Sequence, residues 1–198
     1  MDTLQTAHMT IYGQLIAVLW LALFLYWAIA AFSAKRSVDT HKWRTERGVR
    51  LVLLVIVVIA LRTPQLSHAL QSAQAYEAGS TLMGLTGVLL AAIGVGLAIV
   101  ARVHLGRNWG MPTSQKENPE LVTTGPYAFI RHPIYTGMLI AMLGSTLGQS
   151  VSWFLPLFLF ALYFIYSARR EEMLMIEEFP QQYPAYMART KMLLPLLF

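Results

Sequence analysis

Side chains able to do chemistry gather in two stretches of this sequence, Arg102–Tyr135 and Arg169–Lys191. The first runs through Leu121-Val122-Thr123-Thr124-Gly125-Pro126-Tyr127 and then Arg131-His132-Pro133-Ile134-Tyr135. The second opens with Arg170-Glu171-Glu172-Met173-Leu174 and continues through Phe179, Tyr183 and Tyr186. Pro133 suits the first turn of a helix, where its missing N–H leaves nothing unpaired. Arg131 and His132 then stand at the positive end of that helix, where two cations are unfavourable unless an anion is close. A carboxylate or phosphate ligand would satisfy them, as would Glu171 and Glu172. The plainer reading makes Arg131 an anchor to lipid phosphate and His132 an interfacial filler. The two glutamates pose the complementary problem, because they follow an apolar run where carboxylates are costly unless paired or solvated.

The elements that must position these residues are long apolar blocks. Hydrophobic residues make up 56% of the 198, charged residues only 13%, and mean hydropathy is +0.52. A soluble domain carries about 25% charged residues. Ile11–Phe32 contains no charge, and about 20 apolar residues cross the hydrocarbon core. With no basic residue ahead of it and a run longer than a signal h-region of about 7–15 residues, it reads as a retained first span. Val49–Leu66 is shorter, with Leu51–Leu61 wholly aliphatic between Arg50 and Arg62, which can snorkel to opposite interfaces. Thr81–Ala101 is long and clean. Ile134–Gly148 and Ser152–Ala168 are separated by Gln149, Ser150 and Val151, a tight hairpin. The chain contains no cysteine, which excludes disulfides, thiolate metal sites and a cysteine nucleophile.

Charge placement orients the spans. Six basic residues (Lys35, Arg36, Lys42, Arg44, Arg47, Arg50) lie between the first and second, and four (Arg102, Arg107, Lys116, Arg131) between the third and fourth. Arg169, Arg170, Arg189 and Lys191 follow the fifth, leaving only Arg62 on the other side. The positive-inside rule then places the N-terminus outside and the C-terminus in the cytoplasm. The net charge of +5 is therefore a topology signal, and no nucleic-acid partner is expected. The fold class is an all-α integral membrane protein, one domain over 1–198 with about five transmembrane helices. Its cofactor pocket is expected between the 102–133 loop and the C-terminal segment 169–198, facing the cytoplasm from the cell or inner membrane if the source is prokaryotic. No metal site is read, and oligomeric state is not legible, although the glycine-rich third span could serve a dimer.

The hairpin returns Arg131, His132, Glu171 and Glu172 to one end of the molecule, about 40 residues apart in sequence, as either a polar pocket or a surface ion-pair network. Met173, Ile176 and Phe179 recur at helical spacing, so the tail reads as an amphipathic helix on the membrane surface, interrupted by Pro180 and Pro184. Trp109, Tyr183 and Tyr186 read equally well as interfacial belt aromatics. Gly84, Gly87, Gly94 and Gly96 in the third span, with Gly137 and Gly144 in the fourth, read as close helix packing. Gly94-Val95-Gly96 follows no strand and is rejected as a dinucleotide loop.

At these motifs the sequence resembles the isoprenylcysteine carboxyl methyltransferase family and its phospholipid-methyltransferase relatives. The resemblance runs from about Val103 to Pro195, about half of the chain. It implies methyl transfer from S-adenosylmethionine to a lipophilic acceptor that arrives from the bilayer, the carboxylate of an isoprenylcysteine or a similar lipid. It further implies that Leu121, Val122, Gly125, Pro126, Tyr127, His132, Pro133, Tyr135, Glu171 and Glu172 line the cofactor site. Arg131, His132 and Glu172 are the catalytic candidates, Arg131 and Glu172 as polar anchors. An amine or thiol acceptor would give His132 or a glutamate a proton to accept. The family commonly has Phe-Gly where this chain has Phe179-Pro180, which puts the path of the C-terminal roof in doubt. Two other classes share this pattern of apolar spans followed by late polar motifs. One is an NADPH-dependent membrane reductase of steroid-reductase type, and the other is a non-enzymatic membrane transport or assembly protein. Nothing in the sequence offers the extra phosphate of NADPH an obvious site, and no inverted repeat of transporter type is visible.

Overall fold

In hydrocarbon every backbone polar group needs a partner within the chain, so apolar runs free of Pro become helices. The computed structural model describes residues 11–32, 81–108 and 120–194. The expected span 49–66, the basic loop before it, and Trp109 lie outside the described residues. Five α-helices are described, with short 3₁₀ turns between them: α1 (Ile11–Ala31), α2 (Thr81–Leu105), α3 (Pro133–Gly148), α4 (Phe154–Glu178) and α5 (Gln182–Arg189). Helices α1 and α2 are long and apolar enough to cross a bilayer, whereas α3 is apolar but has 16 residues. At 1.5 Å per residue α3 spans about 24 Å, short of the roughly 30 Å core. The total of five spans and their sidedness rest on the charge pattern of the sequence.

The polar tail departs from the sequence reading. Helix α4 does not stop at Ala168 but runs unbroken to Glu178, because Arg169–Glu178 is made of good helix formers with no Gly or Pro. It ends where the residue before a proline is pushed out of the helical region: Phe179 has φ −127° and ψ 64°. Only Pro180 interrupts the tail. Pro184 falls in the first turn of α5, where a proline breaks nothing. Beyond α5, Met192 and Leu193 do not lie on a surface; they are buried against Ala168, with Tyr135 and Ile165 packed around them.

Helix α2 packs most extensively on α3, and α1 packs on α2. The seam between α2 and α3 is built of small residues at four-three-four spacing on both sides: Gly87, Ala91, Gly94 and Ala98 against Gly137, Ala141, Gly144 and Gly148. The helices are antiparallel. A Cβ added to Gly94 would collide with backbone atoms of Ala141 and Gly137, and one added to Gly87 with the backbone of Gly148. Backbone-to-backbone approach of this kind replaces the hydrophobic drive that helices lack in lipid. Gly84, Gly87, Gly94, Gly137 and Gly144 thus serve packing within the chain, whereas Gly96 faces open space. Trp20 of α1 donates its indole N–H to Ser145 Oγ at 3.0 Å, fastening α1 to the seam. Gly94→Val should destabilise the protein by at least the roughly 1–3 kcal/mol of an overpacked core, while Gly96→Ala should leave the midpoint of thermal unfolding in detergent nearly unchanged.

Candidate active site

Helix α3 begins with Pro133 at its first position and His132 as its N-cap, and no side chain caps it. The residues leading into it are held by the C-terminal segment instead. Lys191 N–H donates to Phe129 O (3.3 Å), Arg131 N–H to Lys191 O (2.8 Å) and His132 N–H to Met192 O (3.1 Å), a short parallel pairing of 129–132 with 191–192. Thr136 Oγ1 donates to Leu193 O at 2.6 Å, extending the seam into the first turn of α3. The last residues of the described chain are therefore part of the mouth of α3.

The continuation of α4 past the apolar zone is what carries Glu171 and Glu172 to His132. Consecutive helical residues diverge by 100°, so the two carboxylates reach the imidazole from opposite sides. Glu172 Oε1 lies 3.3 Å from Nε2, and Glu171 Oε2 lies 3.5 Å from Nδ1, an ion-pair contact more than a strong hydrogen bond. Arg131 Nε donates to the same Glu172 oxygen at 2.5 Å, and its Nη1 donates to Thr190 O at 2.5 Å and Met187 O at 3.4 Å. Glu171 Oε1 accepts from Tyr135 Oη at 2.5 Å and from Ser167 Oγ at 3.3 Å. The imidazole stacks on Tyr135 (centroids 5.5 Å apart, 6° between planes), and Tyr135 stacks on Phe164 at 4.5 Å. An aromatic column thus runs from the apolar hairpin to the ion cluster.

Burial sharpens the electrostatics. His132 is 8% exposed and Glu172 7%, while the Glu171 side chain keeps 25% of its surface. Burial alone would lower the His132 pKa, but hydrogen bonds and charge from Glu171 and Glu172 outweigh it and raise the value above the ordinary 6.5. Burial would raise the Glu172 carboxyl, but His132 and Arg131 hold it below the ordinary 4.5. With a carboxylate at each ring nitrogen, the imidazolium is the species that satisfies both. Two cations then meet two carboxylates, and the cluster is neutral.

The Gly125–Ala128 turn braces the other side. Gly125 has φ +58°, a conformation that favours glycine, and a Cβ there would collide with the His104 ring at the end of α2. Tyr127 is buried, and its carbonyl accepts from Tyr186 Oη of α5 at 2.6 Å. Burial pushes the Tyr186 phenol up to about 12, so it remains a donor.

The structure brings together Arg131, His132, Tyr135, Glu171 and Glu172, and joins Tyr127 to them through α5. Gly125 and Pro126 shape the turn, and Pro133 is buried at the helix start. Leu121 and Val122 lead into the turn, partly buried, and none of the cluster's hydrogen bonds reaches them. Sequence reasoning missed Ser167, Thr136 and Thr190. Ser167 precedes Glu171 by one helical turn and was findable from that spacing; the contacts of Thr136 and Thr190 are to tail backbone, which carries no sequence signal. An open depression of about 430 Å³ lies on the tail side of the cluster, lined by Arg131, Arg169, Glu172, Thr190, Lys191 and Met192 among others. Of the 102–133 stretch expected to form a pocket, only Arg131 reaches this one.

The two shifts fix a pH dependence. A raised His132 pKa contributes stability that is complete below 6.5 and lost as pH rises through the raised value. A lowered Glu172 pKa contributes stability that is complete above 4.5 and lost as pH falls through the lowered value. Thermal unfolding against pH should show these contributions together between 4.5 and 6.5, and His132→Gln should flatten the alkaline decline.

Comparisons with known proteins place the chain in a family. The chain is 29% identical over 170 residues to the nickel-cobalt-cadmium resistance protein NccN of Alcaligenes xylosoxydans xylosoxydans, covering 84% of this chain and 72% of that one. It is 35% identical over 111 residues to the cobalt-zinc-cadmium resistance protein CzcN of Cupriavidus metallidurans, 54% of this chain and 49% of the relative. Its fold resembles the solved structure of a eukaryotic intramembrane Ras methyltransferase, isoprenylcysteine carboxyl methyltransferase, with a TM-score of 0.59 and 21% identity. That match covers 93% of this chain and 65% of the other, so this chain spans about two thirds of its length. The family expected from the Gly-Pro-Tyr, Arg-His-Pro and Arg-Glu-Glu motifs is also the family whose model matches residues 82–182, and on that match the chain belongs to the phospholipid methyltransferase family, a family of membrane methyltransferases.

Proposed function

We propose that the protein transfers a methyl group from S-adenosylmethionine to a lipophilic acceptor that approaches along the α3–α4 hairpin, an isoprenylcysteine carboxylate or a similar lipid. The observation that carries this reading is the buried cluster in which Glu171 and Glu172 bracket His132 beside Tyr135. The donor set suits a positively charged, adenine-bearing cofactor: carboxylates and aromatic faces stabilise a sulfonium, and Glu171 is the more exposed of the two acids. His132, Pro133, Tyr135, Glu171, Glu172 and the turn from Leu121 to Tyr127 would hold it, with Gly125 keeping the turn close to α2.

When bound, the cofactor supplies an activated methyl group whose S–C bond breaks as the acceptor–C bond forms, leaving a neutral thioether. The chain's own work is then alignment and exclusion of water. The aromatic column Phe164–Tyr135–His132, buried at both ends, fixes the imidazole plane against the apolar hairpin. Arg131 spends Nε and Nη1 on Glu172 and the tail carbonyls, which makes it a positioning residue that orients Glu172 and holds the C-terminal segment over the site. A carboxylate acceptor needs no base, and an acceptor that must lose a proton would pass it to a carboxylate of the cluster, because the His132 imidazolium already carries its own.

The relatives' names concern resistance to nickel, cobalt, cadmium and zinc. Among the described residues no group of three ligating side chains converges on a point, since Glu171 and Glu172 face opposite nitrogens of His132. By likeness to those relatives we place this chain in a metal-resistance setting as a lipid-modifying activity.

Transfer of labelled methyl from S-adenosylmethionine, by the purified chain in lipid vesicles, tests the reading with N-acylated farnesylcysteine and phosphatidylethanolamine as alternative acceptors. Label should enter the lipid phase, and Glu171→Gln and His132→Gln should each lower the rate by about 10²-fold, the scale of losing one preorganised charged group. Full activity in both variants would remove the site assignment.

A further inference from the structure

The depression on the tail side of the cluster has more positive charge than its surroundings balance. Arg131, Arg169 and Lys191 line it, against the single carboxylate of Glu172. Glu172 is already spent on Arg131 and His132. Among the described residues, exposed Arg169 and Lys191 form no ion pair, and no hydrogen bond of Arg131 uses its Nη2. Three cationic groups converging on one opening repel one another unless an anion occupies it.

Two further observations identify the anion. Arg169 follows Ala168 directly, at the end of the apolar part of α4, so the depression sits where that helix leaves the hydrocarbon. From Arg169 the helix presents Tyr166, Leu162, Phe158 and Leu155 at three- and four-residue intervals, which is one face. All four are exposed, Tyr166 by 64% and Leu162 and Phe158 by 52% each. At 1.5 Å per residue that stripe runs for about 21 Å, enough to accompany an acyl chain through one leaflet. Apolar Met187 and Met192 complete the rim.

We propose that this depression is a binding site for the phosphate of an anionic glycerophospholipid, whose acyl chain lies along the Tyr166–Leu155 face of α4. The lipid is a resident ligand and not the methyl acceptor: of the residues proposed for the donor, only Glu172 borders the depression. The site does not depend on the methyltransferase reading, because its cations and its apolar stripe lie outside the Tyr127–Tyr135–Glu171 side of the cluster. Its expected consequence is that bound lipid screens Arg169 and Lys191 from each other beside the tail segment 190–192 and stabilises that segment over α3.

The test is binding of short-chain phosphatidylglycerol to the detergent-solubilised full chain, with phosphatidylcholine and inorganic phosphate as comparisons. Phosphatidylglycerol should bind more tightly than phosphatidylcholine and raise the unfolding temperature. The doubly substituted chain with Arg169→Gln and Lys191→Gln should bind it about 25-fold more weakly, about fivefold for each cation removed. Arg169→Lys should remain close to wild type, and Tyr166→Ala should weaken the lipid without affecting any phosphate binding. S-adenosylhomocysteine binding, titrated in parallel, should be the same in the double variant and the wild type. Equal binding of the two lipids, or an unchanged phosphatidylglycerol affinity in the double variant, would overturn the proposal. Inorganic phosphate binding as tightly as phosphatidylglycerol would overturn the lipid assignment. Loss of S-adenosylhomocysteine binding together with the lipid would assign the depression to the methyl donor and overturn it as a separate site.

Discussion

The shared carboxylate oxygen of Glu172, accepting from Arg131 at 2.5 Å and facing His132 at 3.3 Å, is the contact on which the polar end of the molecule depends. Burying charge beside a membrane is costly, and it is tolerated only where each ion has a partner and the remaining donors are used. Each neighbouring feature answers one of those demands. Glu171 takes the second ring nitrogen, Tyr135 and Ser167 take Glu171, and the carbonyls of Met187 and Thr190 take Nη1 of Arg131. The tail is pinned by backbone hydrogen bonds to the same residues. Removing one member would strand the others in a place that water reaches poorly.

Such a cluster needs a rigid frame, and the frame is the small-residue seam between α2 and α3. Close backbone approach along that seam fixes where α3 begins, and therefore where Arg131 and His132 stand. The hairpin to α4 then sets how far Glu171 and Glu172 extend beyond the apolar zone. Arg102 adds a further tie, donating to Gly106 O at 2.6 Å and to Ala30 O at 2.7 Å, so the C-terminal ends of α1 and α2 are held in register. Specific chemistry at the membrane edge thus rests on packing inside it.

Much of this was legible in sequence because membrane helices leave strong signals. Charge-free blocks mark α1 and α2, and Pro133 marks the start of α3. The three-residue link at Gln149–Val151 forces the hairpin that brings residues 131–132 to 171–172. The meeting of those four charges follows from that geometry alone. What the sequence hid has physical reasons. Helix α4 outruns its apolar stretch because helix propensity is indifferent to the change from lipid to water. Pro184 looks like a breaker and is harmless in a first turn. The pairing of 129–132 with 191–192 is made by backbone groups that any residues would supply, so no pattern announces it. Which glutamate faces which partner depends on a rotation of about 100° around α4, finer than motif spacing resolves.

The central claim is that this cluster receives S-adenosylmethionine, and calorimetric titration of the detergent-solubilised chain with S-adenosylhomocysteine, with NADPH in parallel, tests it most directly. The account predicts micromolar binding of S-adenosylhomocysteine and none of NADPH. Binding of NADPH alone would move the protein to the membrane reductases. Binding of neither would contradict the cofactor assignment and leave the cluster as a structural ion network.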